Sequence, residues 1–109
     1  MARDNGLEEV VREYVAELPG LHGKAMFGSW CWLVDGVLLC CASQEGVMVR
    51  LGKGNEAWAL AVDGITPFTN GQRPMPGWVL VKPERFADDT LARKLIAGAL
   101  TYVQGLPVR

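Results

Sequence analysis

The 109-residue chain lacks a surplus of either charge: 11 Lys and Arg stand against 12 Asp and Glu, for a net charge of −1 with the single histidine neutral. A dedicated nucleic-acid binder neutralises phosphates with a basic excess, and none is present. Apolar runs are also short of the roughly 18 residues that a membrane helix needs. Residues Met1 to Glu17 are too charged for a secretory leader. Without an export signal, and with three cysteines that cannot all pair, the cytoplasm is the expected compartment. Cys-x-x-Cys spacing is missing and His22 has no second histidine, so neither a metal nor another cofactor is expected. Disorder is excluded by a hydrophobic content of 50%. A chain of this length buries roughly 65% of its unfolded surface, enough for one core, which predicts a single domain over residues 1–109.

What is present begins with Leu7, Val10, Val11, Tyr14, Val15 and Leu18, spaced three and four apart on one helical face. Asn5 with Glu8 suggests a capping box, and Pro19-Gly20 stops the segment, so a helix is predicted over Asn5 to Leu18. From Trp30 the period becomes two. Asp35-Gly36 lies between Trp30–Val34 and Val37–Ala42 as a two-residue hairpin turn, and a turn at Gln44-Glu45-Gly46 leads into Val47–Leu51. A short helix capped by Asn55 runs through Ala57, Trp58, Leu60 and Ala61. Extended pieces follow at Ile65–Phe68 and Trp78–Val81. Asp88 or Asp89 then caps a last helix bearing Leu91, Leu95, Ile96, Ala99, Leu100 and Val103, which Gly105 and Pro107 end. The predicted fold is α+β in the order α-β-β-β-α-β-β-α: an antiparallel sheet of four to five strands with helices mainly on one face.

Counting outward from Asp35-Gly36 pairs Leu33 with Leu38, Trp32 with Leu39, Cys31 with Cys40 and Trp30 with Cys41. The second turn sets Cys41 opposite Met48, Cys40 opposite Val49 and Leu39 opposite Arg50. Strand alternation then divides the residues. One face holds Cys31, Leu33, Leu38, Cys40, Val49 and Leu51, and suits burial under helices. The other holds Trp30, Trp32, Leu39, Cys41, Met48 and Arg50, joined by Trp78, Leu80 and Lys82. This tryptophan face is either covered by the chain's own Ile65–Gly77 segment or buried in a partner, for which Trp, Met and Arg are the enriched types.

Other chemistry is weakly signalled. Cys31 and Cys40, as cross-strand neighbours, are either small buried hydrophobes or a disulfide pair. Gly28-Ser29-Trp30 lacks a nucleophile elbow, and His22, on a predicted loop, has no orienting carboxylate. Gly52-Lys53-Gly54-Asn55 lacks the P-loop ending and reads as a strand-to-helix connector. Arg73-Pro74-Met75-Pro76-Gly77-Trp78 reads as a rigid approach to a strand or as a binding lip.

Several of these strings together resemble the amino-terminal domain of the TfoX family: Met26-Phe27-Gly28, Val34-Asp35-Gly36, Met48-Val49-Arg50-Leu51-Gly52, Pro67-Phe68, Arg73-Pro74-Met75, Gly77-Trp78-Val79-Leu80-Val81 and the closing helix. The resemblance runs from about Leu7 to Pro107. It implies an α+β fold with an antiparallel sheet and a link to regulation of competence genes in bacteria. Longer relatives add a helical domain that these residues do not contain, so DNA binding is not expected of this domain alone. No catalytic residue is carried over.

The resulting expectation is a non-catalytic binding or regulatory module, acting through protein contacts as a homodimer or with another protein, at Trp30, Trp32, Met48, Arg50 and Trp78. One alternative is an enzyme or small-molecule binder with a pocket between the Arg73–Trp78 loop and the Gly52–Asn55 turn, where Arg50, Lys53 and Arg73 would receive an anion. The other is a DNA-associated accessory protein.

Overall fold

A computed structural model describes residues 2–106. Helix α1 (Asn5–Val15) leads into strands β1 (Leu21–Met26), β2 (Ser29–Val34), β3 (Val37–Ser43) and β4 (Gly46–Arg50). The short helix α2 (Ala57–Leu60), strands β5 (Ile65–Asn70) and β6 (Arg73–Val81), a 3-10 turn at Pro83–Ala87 and helix α3 (Asp89–Gln104) complete the order. The strands form one antiparallel sheet in the order β1-β2-β3-β4-β6-β5. The α+β class therefore holds, but the sheet has six strands rather than four to five.

The added strand is β1, where a loop around His22 was expected. Its Leu21-His22-Gly23-Lys24-Ala25-Met26 string has no β-branched residue and becomes a strand by pairing along the whole of β2. Helix α1 is capped by Asp4, whose carboxylate accepts from the Leu7 amide at 3.1 Å, and not by Asn5. Glu8 instead turns to Arg3, which donates to it twice at 2.8 Å and lies over the Trp30 ring at 4.8 Å. The helix ends at Val15, short of Leu18. Asn55 does not cap α2; its side-chain amide donates to the Leu51 carbonyl. Asp88 caps α3 as expected, accepting from the Leu91 amide, and Gly105 closes that helix; Pro107 lies outside the described residues.

The turn at Asp35-Gly36 forms as predicted, with φ of 51° and 81°, a left-handed pair that matches the twist of a tight hairpin. Beyond it the predicted register fails. Leu33 faces Leu38, but Trp32 faces Cys40, Cys31 faces Cys41 and Trp30 faces Ala42. Leu39 is an extra residue on β3, a bulge, so that Leu39 and Cys40 both turn to the same core. The β3–β4 pairing is as predicted for Cys40 with Val49 and Cys41 with Met48, and ends there, before Arg50.

The bulge changes which residues share a face. The main core lies between the sheet and the helices: Leu7, Val11 and Val15 of α1 and Leu95, Ile96 and Ala99 of α3 pack on Trp32, Leu39, Val49 and Val79. Trp30 and Trp32 belong to this side, and Trp32 is only 2% exposed. A second, smaller cluster of Cys31, Cys41 and Met48 lies on the other side, and no helix residue contributes to it.

Candidate functional site

The helix-free face is built on one row that crosses the whole sheet. Lys24 pairs with Cys31, Cys31 with Cys41, Cys41 with Met48, Met48 with Leu80, and Leu80 with Thr66. Residues opposite each other across antiparallel strands point to the same side. Around the buried Cys31, Cys41 and Met48 sit the half-buried Met26, Leu38, Phe68, Trp78 and Leu80. Phe68 and Trp78 meet at a tilt, ring centres 6.5 Å apart. Arg50 closes one end: it donates to the Leu38 carbonyl at 3.4 Å and lies 6.0 Å from the Trp78 ring and 5.5 Å from the Tyr102 ring. Its charge is thus held over aromatic faces and next to a carbonyl.

At the far end, Phe27-Gly28 makes the two-residue turn between β1 and β2. Phe27 has φ 55° and is 81% exposed, an uncommon left-handed backbone for an aromatic residue and the one large hydrophobic side chain so exposed among the described residues. Sequence reasoning passes over this turn because two-residue hairpins favour Asn-Gly and Asp-Gly.

Of the five residues expected at one contact surface, the structure brings together Met48, Arg50 and Trp78 and places Trp30 and Trp32 on the opposite side of the sheet. The face itself still exists, with Met26, Leu38, Phe68 and Leu80 in place of the two tryptophans. Lys82 continues β6 outside this cluster and is exposed.

The anion residues fare differently. Lys53 is exposed in the turn after β4, and Arg73 is exposed at the tip of the β5–β6 hairpin, paired with Asn70. Close to the expected pocket position is a cleft of about 110 Å³ whose walls include Phe68, Pro74, Met75 and Trp78. Its one ionisable wall residue is Glu56, which accepts from the Gly54 and Gly77 amides at 2.7 Å each and whose pKa is held down chiefly by its own backbone amide and then by those two donors. A carboxylate there repels an anion. A larger groove of about 450 Å³ lies along α3, lined by Trp58, Lys94, Thr101 and Tyr102 among others, with the Lys94 ammonium 4.3 Å from the Trp58 ring centre. Arg50, Lys53 and Arg73 line neither groove.

The three thiols are free and differ in setting. Cys40, on the helix side, is fully buried, and burial pushes its pKa up. Cys31 is held well below the ordinary thiol value, chiefly by the facing Cys41 thiol and then by Ser29 and Lys24, against the effect of burial. Cys41 is pushed up by the same partner and by burial. Among the described residues no group of three or more His, Cys, Asp or Glu side chains is placed to hold a metal, and no helix is long and apolar enough to cross a membrane.

The family model for the TfoX N-terminal domain matches residues 13–102. The chain belongs to the TfoX N-terminal domain family. In this TfoX N-terminal domain the matched span starts inside α1 and ends inside α3, so it takes in the entire sheet, all of the second apolar cluster and most of the main one, leaving out Leu7, Val11 and Val103. No curated protein matches the chain.

Proposed function

We propose that this TfoX N-terminal domain is a non-catalytic regulatory module of the cytoplasm that works by protein contact, pairing with a second copy of itself through the helix-free face of its sheet. The observation that carries this reading is the second apolar cluster: Cys31, Cys41 and Met48, rimmed by half-buried Met26, Leu38, Phe68, Trp78 and Leu80, with no helix over it. An apolar sheet face loses free energy to water until something covers it. Met, Trp and Arg, the types enriched at the centres of interfaces, are here at Met48, Trp78 and Arg50. A net charge of −1 gives two copies little mutual repulsion. Phe27, 81% exposed in the turn between β1 and β2, adds a large apolar side chain for a second copy to cover.

Sedimentation velocity over a range of micromolar concentrations tests this. The wild type is expected to sediment as a dimer, while Phe27→Ser with Trp78→Ser shifts it to monomer with an unchanged circular dichroism spectrum. A wild-type chain that stays monomeric throughout overturns the reading.

A further inference from the structure

We propose that Cys31 and Cys41 form a peroxide-reactive dithiol on the helix-free face, closing to a cross-strand disulfide within one chain. The bulge at Leu39 makes this pair, since an unbroken ladder sets Cys31 against Cys40. Cα atoms directly opposite in an antiparallel pair are about 4.5–5.5 Å apart, inside the roughly 4.4–6.8 Å that a disulfide spans. The backbone therefore need not move far to close the bond.

The surroundings of Cys31 divide the labour between the two thiols. Lys24 on β1 is its other cross-strand neighbour and supplies positive charge. The Ser29 hydroxyl lies 3.6 Å from the Cys31 sulfur and 2.9 Å from the Met26 carbonyl, so it can turn from that carbonyl to donate to a thiolate. With the facing Cys41 thiol, these groups favour the Cys31 anion, and the same geometry keeps the proton on Cys41. Both sulfurs are shielded from bulk water, but by side chains alone, since no helix lies over this cluster. A small oxidant suits such cover better than a large disulfide.

The chemistry balances with hydrogen peroxide as oxidant. The Cys31 thiolate attacks one peroxide oxygen, the O–O bond breaks, and the released hydroxide takes a proton to leave as water, giving a sulfenic acid. The Cys41 sulfur then attacks the Cys31 sulfur. An S–S bond forms, the S–O bond breaks, and the Cys41 proton leaves with the hydroxide as a second water. Two thiols are oxidised by two electrons and one peroxide is reduced to two waters. Cys40 takes no part, because it lies on the other side of the sheet.

Peroxide treatment of the folded chain, followed by denaturation, alkylation and peptide mapping, tests the assignment. Two of the three thiols are expected to disappear, with a single Cys31–Cys41 cross-link and Cys40 alkylated. Cys40→Ser, which leaves the pair intact, forms the same cross-link. Cys41→Ser halts at a Cys31 sulfenic acid trapped by a dione reagent, and Cys31→Ser consumes no peroxide. Three free thiols after treatment, a cross-link containing Cys40, or equal reactivity of the two single variants overturns it. A dimer formed through this face would cover both sulfurs, so the treatment is carried out at concentrations where the chain sediments as a monomer, which separates its outcome from that of the proposed pairing.

Discussion

Trp32 and Trp78 lie on opposite sides of one sheet, and truncating each in turn separates their roles. Trp32 is 2% exposed beneath the helices, so Trp32→Ala removes a side chain with essentially all of its area withdrawn from water. A buried tryptophan contributes about 150–250 Å². At about 25 cal/mol per Å² this is roughly 4–6 kcal/mol, in line with the 3–5 kcal/mol typical of such truncations. A chain of this length has about 5–15 kcal/mol in total, so Trp32→Ala sits near the limit of folding. Trp78 is half-buried on the helix-free face, where its loss leaves no enclosed void, and Trp78→Ala is expected to cost only about 1–2 kcal/mol. Urea unfolding followed by far-ultraviolet circular dichroism reads the difference. With a slope of about 1–3 kcal/mol per molar urea, 4 kcal/mol lowers the midpoint by roughly 2 M. Trp32→Phe, which keeps an aromatic ring in the cavity, recovers part of that loss. Equal costs for Trp32→Ala and Trp78→Ala, measured under conditions where the chain is monomeric, refute the placement of the two residues on different faces.

Two further expectations concern the backbone and pH. Gly77 has φ 88°, and a Cβ there meets the Lys53 amide nitrogen at 2.6 Å and the Gly52 carbonyl carbon at 2.8 Å, backbone atoms that cannot swing aside. Gly77→Ala should therefore lower the urea midpoint well beyond Gly36→Ala, whose added carbon meets nothing within 4 Å and pays only the left-handed backbone strain of about 1–2 kcal/mol; equal shifts would falsify this. The pKa of Glu8 is held below its ordinary 4.5 chiefly by the Arg3 hydrogen bonds, so its ionised form adds stability above that value, and the contribution is lost as pH falls through the lowered folded value. The stability gap between wild type and Glu8→Gln is thus expected at pH 7 and should narrow as pH falls below the ordinary 4.5; a gap that stays constant in thermal unfolding as the pH is lowered contradicts it.

Much of the fold is written locally. The apolar stripe of α1, the alternation of β2 and β3, the Asp35-Gly36 turn, the Asp88 cap and the stripe of α3 each depend on residues within a few positions of one another, and each can be read from spacing alone. The existence of an apolar sheet face outside the helices was also legible, since the meander carries more apolar residues than one face can hold. Its membership was not. An even ladder through Leu39 sets Trp30, Trp32 and Val34 on the opposite face from Val47, Val49 and Leu51. Slipping one residue at Leu39 brings all six to the helices. That choice depends on how a whole sheet packs against α1 and α3, a condition no local spacing expresses. The strand β1 has the same origin, formed by its partner rather than by propensity. Composition and pattern thus determined the class, the principal elements and the presence of two apolar faces, while tertiary packing decided the register, and with it the cysteine pair and the side of the sheet on which each tryptophan lies.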